Sequence, residues 1–84
     1  MRPNKRLMYH GRVLEIRPEK VGHRCEIWLY ENSRPLGKFA SVSLYEAAAK
    51  MAYGGDLIAE AMENAARDIL MGRFPKAAAP LAAE

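Results

Sequence analysis

The stretch that decides the fold is residues 43–70, which read SLYEAAAKMAYGGDLIAEAMENAARDIL. Apolar and small residues recur in it at alternating spacings of four and three, which is typical of one face of an α-helix. Ser43 is a good N-cap residue, and Glu46 three positions later completes a capping box. The sequence therefore predicts a long amphipathic helix whose inner face carries Leu44, Ala48, Met51, Gly55, Ile58, Met62, Ala65 and Ile69.

Two consecutive glycines, Gly54 and Gly55, interrupt this segment and leave two interpretations open. Each glycine disfavours a helix by about 1 kcal/mol relative to alanine, so the chain can end one helix there and start another with Asp56 as N-cap. Alternatively, a continuous helix uses Gly55 where it crosses a sheet closely. The apolar spacing runs from Met51 to Ile58 without a shift, which favours the continuous helix.

The residues before the helix alternate between apolar and polar side chains, as β-strands do. We predict three strands, over residues 7–17, 24–30 and 36–42. Gly11 is interpreted as a bend or bulge inside the first strand. Turn-forming residues at 18–22 and 32–35 connect the strands.

The alternation also assigns the faces of the predicted sheet. The apolar set of the middle strand is expected to face the helix. In the third strand, Phe39 is expected to point to the core, which turns Lys38 to the outer face. The predicted core comprises Leu14, Ile16, Cys25, Ile27, Leu29, Phe39, Leu44, Ala48, Met51 and Ile58.

The predicted fold class is α+β, a three-stranded antiparallel meander packed against one long C-terminal helix in the order β-β-β-α. Residues 1–6 form a flexible basic arm, residues 7–72 a single domain, and residues 73–84 a disordered tail rich in alanine and proline. This layout resembles that of small bacterial proteins without a characterised function. The resemblance rests on layout alone and implies no activity or site residue.

Length predicts self-association. A helix of 28 residues spans about 42 Å, whereas a strand of eight residues spans about 26 Å, so the helix would overhang the sheet. The overhanging end would expose apolar side chains, and such a surface is typical of an interface. We therefore expect a homodimer with two-fold symmetry, and the interface is predicted to contain Met62, Ala65, Ala66, Ile69 and Leu70.

Composition restricts the remaining possibilities. Cys25 is the single cysteine, so no intramolecular disulfide forms, and no Cys/His cluster suggests a structural metal. No run of about 18 apolar residues predicts a membrane span, and no export signal is recognised, so a cytoplasmic protein is expected. The formal net charge is +3, with nine Lys and Arg against four Glu in residues 1–42.

The most suggestive surface is the outer sheet face with Arg24, Trp28, Tyr30 and Lys38. Aromatic and basic side chains together are used to bind single-stranded nucleic acid. The same residue types are favoured in protein interfaces and in ordinary exposed sheets. Glu15, Glu26 and Glu31 among them would repel phosphate, which favours a protein partner.

No residue pattern supports catalysis or a cofactor. The two histidines lack a third ligand at metal spacing, and Cys25 lies on an apolar strand face without a base beside it. The sequence therefore predicts a small non-catalytic protein-interaction module that binds itself, with another protein as a second kind of partner. The alternative is a nucleic-acid-binding module that uses the aromatic and basic sheet face.

Overall fold

Two layers make up the structure, an antiparallel sheet and two helices on one of its faces. The computed structural model describes residues 3–75. The strands are β1 Lys5–Tyr9, β2 Arg12–Val21, β3 Arg24–Glu31 and β4 Arg34–Ser43, and they pair in chain order; the helices are α1 Leu44–Met51 and α2 Leu57–Leu70. The α+β class is confirmed. The predicted counts of three strands and one helix are wrong, since residues 3–75 form four strands and two helices.

The additional strand arises because the segment that was predicted as one strand turns back at His10 and Gly11. Both residues have positive φ angles, 51° and 77°, which is the requirement of a tight two-residue hairpin turn. Gly11 therefore forms a turn instead of a bulge. Lys5 and Arg6 belong to β1 and not to a flexible arm, and they pair with Ile16 and Glu15.

Pro18 was predicted in a turn and instead lies in β2, buried and opposite Ile27 of β3. A proline lacks the N–H that a central strand needs. The position tolerates it because β1 ends its pairing at Ile16. In an antiparallel sheet, the backbone groups of alternate residues point to opposite neighbouring strands. Those of Pro18 point to the β1 side, where no β1 residue pairs beyond Ile16.

Strand β4 is irregular. Its register with β3 shifts twice, between Ile27 and Trp28 and again between Leu29 and Tyr30. These irregularities allow Phe39 to pack against the core while Lys38 lies opposite Trp28, as predicted. A β-bulge of this kind re-aims a side chain without ending the strand.

The helical segment breaks at the two glycines, so the prediction of a continuous helix is wrong. Gly54 has φ +85° and its N–H donates to the Met51 carbonyl at 3.0 Å, while the Gly55 N–H donates to the Lys50 carbonyl at 3.0 Å. This pair of bonds is the Schellman ending of a helix. The Asp56 side chain then accepts from the Ala59 N–H at 3.0 Å and caps α2.

Because of this break, α2 packs across the sheet and leaves no overhang. Its 14 residues span about 21 Å, which fits the length of the strands. The α2 residues Met62, Ala65, Ala66 and Ile69 are buried against the sheet, together with Leu14, Ile16, Cys25, Ile27, Leu29 and Leu36.

Five of the predicted core residues are fully buried, namely Leu14, Ile16, Cys25, Ile27 and Leu29. Phe39, Leu44 and Ile58 are partly buried beside them. Ala48 and Met51 are exposed, which contradicts the prediction, because α1 turns Ala47 toward the protein instead.

The α2 helix ends at Leu70, and Gly72 follows it with φ +79° while the Arg73 N–H donates to the Asp68 carbonyl at 2.7 Å. Phe74 follows and packs edge-on against Tyr9, with ring centroids 5.3 Å apart. Residues 1, 2 and 76–84, which belong to the predicted arm and tail, lie outside the described residues.

The helix break and a continuous helix predict opposite changes in the free energy of unfolding when Gly54 is substituted. Gly54→Ala places a side chain at positive φ and should lower the free energy of unfolding by about 1–2 kcal/mol. A continuous helix would instead gain about 1 kcal/mol from the same change. Urea unfolding followed by circular dichroism measures the difference, and Gly54→Asn, which tolerates this φ better, is the matched control. A stabilised Gly54→Ala variant would contradict the structure.

Candidate functional site

The candidate site is the outer face of the sheet, on the side opposite the helices. Alternation along β2 and β3 directs their polar and aromatic residues to this face. Strand pairing brings Trp28 opposite both Arg17 and Lys38, and Tyr30 opposite Glu15. This outer face consists of Arg6, Met8, Val13, Glu15, Arg17, Glu19, Arg24, Glu26, Trp28, Tyr30 and Lys38.

Trp28 and Lys38 share one carboxylate on this face. The Trp28 Nε1–H donates to Glu26 Oε1 at 3.0 Å, and Lys38 Nζ lies 3.3 Å from Glu26 Oε2. The hydrogen bond from Trp28, followed by that from Lys38, lowers the pKa of the Glu26 carboxyl. Glu26 therefore stays ionised at neutral pH and fixes the orientation of the indole ring.

Tyr30 is held in a second group of contacts. Its hydroxyl donates to Glu19 Oε2 at 2.8 Å, and the Arg17 guanidinium lies 4.1 Å from the centre of its ring. Burial and the Glu19 carboxylate raise the pKa of the Tyr30 hydroxyl. The stacked guanidinium is a cation–π contact, and it covers one surface of the phenol ring.

The cations around these aromatics are also engaged. Arg17 Nε lies 2.5 Å from Glu15 Oε1, and its hydrogen bond is the main reason that the pKa of Glu15 is lowered. Arg24 Nε donates to Ser41 Oγ at 2.5 Å. The predicted group of Arg24, Trp28, Tyr30 and Lys38 thus lies on one face, where its members contact neighbouring side chains.

An ion pair closes one end of the sheet. Arg12 follows the β1–β2 turn, Glu31 precedes the β3–β4 turn, and their side chains meet in a two-bond contact of 2.8 and 2.5 Å. This contact lowers the pKa of Glu31. Near the same end, Arg6, Val13, Glu15, Arg17, Asn32 and Ser33 line an open depression of about 280 Å³ on the outer face.

Four of the five residues that were predicted to form a helical interface are buried within their own chain. Met62, Ala65, Ala66 and Ile69 are at most 8% exposed and contact the sheet of their own chain. They are therefore not available to a second chain in this arrangement. Leu70 differs, since 63% of it is exposed at the end of α2.

The groups that would be needed for catalysis or metal binding lie apart from each other. His10 precedes β2 and His23 follows it, so the two histidines lie at opposite ends of that strand. Cys25 is fully buried, and burial raises the pKa of its thiol. Among residues 3–75, no three His, Cys, Asp or Glu side chains are placed to hold a metal ion, and neither helix has the length and apolar character to cross a membrane.

Sequence reasoning missed a set of exposed apolar side chains. Met8 and Val13 pair on the outer face at 62% and 46% exposure, and Tyr53 in the α1–α2 connection is 90% exposed. Met8 and Val13 were missed because residues 7–17 were treated as a single strand, and Tyr53 was missed because residues 52–56 were treated as helix. Within residues 3–75, the exposed large apolar residues are Met8, Val13, Val21, Tyr45, Met51, Tyr53, Leu70 and Met71.

No protein-family model, no curated protein and no solved structure matches this chain. The residues themselves therefore carry the functional interpretation.

The lowered carboxylate pKa values predict acid sensitivity. A carboxyl whose pKa is lower in the folded than in the unfolded state stabilises the fold at pH values above its unfolded-state pKa. This contribution is lost as the pH falls through the folded-state pKa. The free energy of unfolding should therefore decrease between about pH 5 and pH 3. Glu31→Gln should lower stability at pH 7 and flatten this decrease, as measured by urea unfolding at several pH values.

Glu63→Gln is the matched control for this measurement, because Glu63 is exposed on α2 and none of the ion pairs found in residues 3–75 includes it. It should reproduce the pH dependence of the unmodified chain. If Glu31→Gln shows the same pH dependence as Glu63→Gln, the Arg12–Glu31 contact does not stabilise the fold.

Proposed function

We propose that this chain is a small non-catalytic protein-interaction module that associates with itself. The observation that carries the proposal is the balance of its apolar side chains. In the part of the chain that the structure describes, eight large apolar side chains are between 46% and 90% exposed, while the six largest fully buried side chains are Leu14, Ile16, Cys25, Ile27, Leu29 and Ile69. Exposed apolar side chains that lie together indicate a protein-interaction surface, and Met8 and Val13 are such neighbours on the outer face.

The outer face supports a protein partner through its composition and rigidity. Trp, Tyr and Arg dominate the residues that contribute most to protein interfaces. Trp28 and Tyr30 are each fixed by a hydrogen bond to a carboxylate, so little side-chain freedom remains to be lost on binding. A preorganised face of this kind binds with a smaller entropic cost.

The carboxylates argue against an acid–base catalyst. A general acid or base works best with a pKa near the operating pH. Glu15, Glu26 and Glu31 have lowered pKa values and are held by cations or N–H donors. The buried thiol of Cys25 is likewise unsuited to act as a nucleophile, which needs an accessible thiolate.

Single-stranded nucleic acid is the second candidate, and the surplus of basic residues in the β half is the observation that favours it. The arrangement of the outer face supports it less well. Arg17 covers Tyr30 at 4.1 Å, which leaves Trp28 as the aromatic side chain of this face for stacking on a base. Glu26 beside Trp28 would repel a phosphate.

The mass in solution tests self-association. Sedimentation equilibrium of the full chain over a range of concentrations should give a dimer that dissociates on dilution, because self-association follows mass action. A monomer at every concentration would contradict the proposal.

Fluorescence of the single tryptophan tests the nucleic-acid alternative. We expect no change in Trp28 emission when a mixed-sequence single-stranded oligonucleotide is added at low salt, where phosphate contacts are strongest. Quenching that disappears as the salt concentration rises would favour the alternative. The Arg24→Ala variant is the control for the contribution of an individual cation of the outer face.

A further inference from the structure

The two edges of the sheet differ in a way that points to the self-association surface. Strand β4 carries Pro35 and two shifts of register, which are devices that prevent an edge from pairing with another strand. Strand β1 has neither proline nor bulge, and its register with β2 is continuous from Lys5 to Tyr9. One edge is therefore protected and the other is regular.

The free backbone groups of β1 follow from its hairpin. Tyr9 and Arg12 flank a two-residue turn, so they form a hydrogen-bonded pair, and such pairs alternate with non-hydrogen-bonded ones. Lys5, Leu7 and Tyr9 therefore bond to β2. The N–H and C=O groups of Arg6 and Met8 point away from β2, toward the edge that no other strand within residues 3–75 covers.

We infer that β1 pairs antiparallel with β1 of a second copy, around a two-fold axis at Leu7. This inference rests on the proposed self-association. This register places Arg6 opposite Met8 of the second copy, and each such pair exchanges two backbone hydrogen bonds. This register also places no two like charges directly opposite each other, and such pairs would destabilise a sheet. A two-fold axis at Arg6 would place two guanidinium groups against each other, and one at Met8 would pair Arg6 with a turn residue.

The side chains near the edge fit this register. Leu7 is half-buried on the inner face, and the axis brings the two Leu7 side chains together, which extends the core across both copies. Tyr9 of the second copy then lies beside Lys5. Lys5 lines an open depression of about 310 Å³ with Pro3, Asn4, Ala59, Met62 and Glu63.

The protected edge limits the assembly. Pairing of two β1 edges joins two four-stranded sheets into one of eight strands, and β4 of each copy then forms the outer edges. Because β4 resists further pairing, the assembly closes as a dimer and does not grow into a fibre.

Cysteine crosslinking tests the register. In a Cys25→Ala background, Leu7→Cys places two thiols at a non-hydrogen-bonded pair with Cα atoms about 4.5 Å apart, within the range of a disulfide. Met8→Cys is the matched control, since its two copies are diagonal neighbours about 7–8 Å apart. With oxidised glutathione, Leu7→Cys should form several-fold more covalent dimer on a non-reducing gel than Met8→Cys.

Backbone substitution provides a second variant that spares the β1–β2 hairpin. Met8→Pro removes an N–H that points to the second copy and that β2 does not use, so it should convert the dimer to a monomer with the β signal in circular dichroism retained. Met8→Val keeps the N–H and should remain dimeric.

The outcomes distinguish this inference from the proposed function. If the unmodified chain is a dimer but Met8→Pro is also a dimer and Leu7→Cys does not crosslink, self-association stands and the β1 edge is not the interface. Preferential crosslinking of Met8→Cys would overturn the register. A monomeric unmodified chain would overturn both.

Discussion

The placement of α2 depends on the chain reversal between Met51 and Leu57. The Schellman ending at Gly54 and Gly55 releases the chain from α1, and the Asp56 cap starts α2 in a new direction. Only then can Met62 and Ile69 reach the inner face of the sheet. With a continuous helix these side chains would extend past the strands, and β2 and β3 would lose the layer that covers them.

Period-two alternation in β2 and β3 could be interpreted from the sequence, and it placed the buried residues and the outer-face aromatics on their correct sides. The helix break could not be separated from a continuous helix on spacing alone. Met51 and Ile58 keep a helical spacing, but Met51 is 60% exposed, so that spacing reflects no shared packing surface. Gly54 and Gly55, which are typical of a helix end, and Asp56, which is typical of an N-cap, indicated the break correctly.

Strand β1 and the free edge were missed for a different reason. Lys5 and Arg6 are polar and precede the turn at His10 and Gly11. His10 has a positive φ angle there, which is uncommon for a residue other than glycine. The hydrogen bonds of Trp28 and Tyr30 were likewise beyond the sequence, since they depend on strand register and side-chain rotamers. Alternation predicts which face a residue occupies and does not predict its partners on that face.

Together these features describe a module whose one sheet face is packed by helices and whose other face is held rigid by paired charges. Pairing at β1 would place the two outer faces side by side in one continuous surface, with Trp28 and Tyr30 repeated across the two-fold axis. Such a repeated surface suits a symmetric or bivalent partner, because linked contacts strengthen binding without new chemistry.

Amide hydrogen exchange, resolved by residue with NMR at high and low protein concentration, tests the pairing of β1 most directly. The account predicts that the Arg6 and Met8 N–H groups are protected at high concentration and exchange rapidly on dilution, while those of Leu7 and Tyr9, bonded to β2, are protected in both samples. Rapid exchange of Arg6 and Met8 at every concentration in a dimeric sample would contradict it.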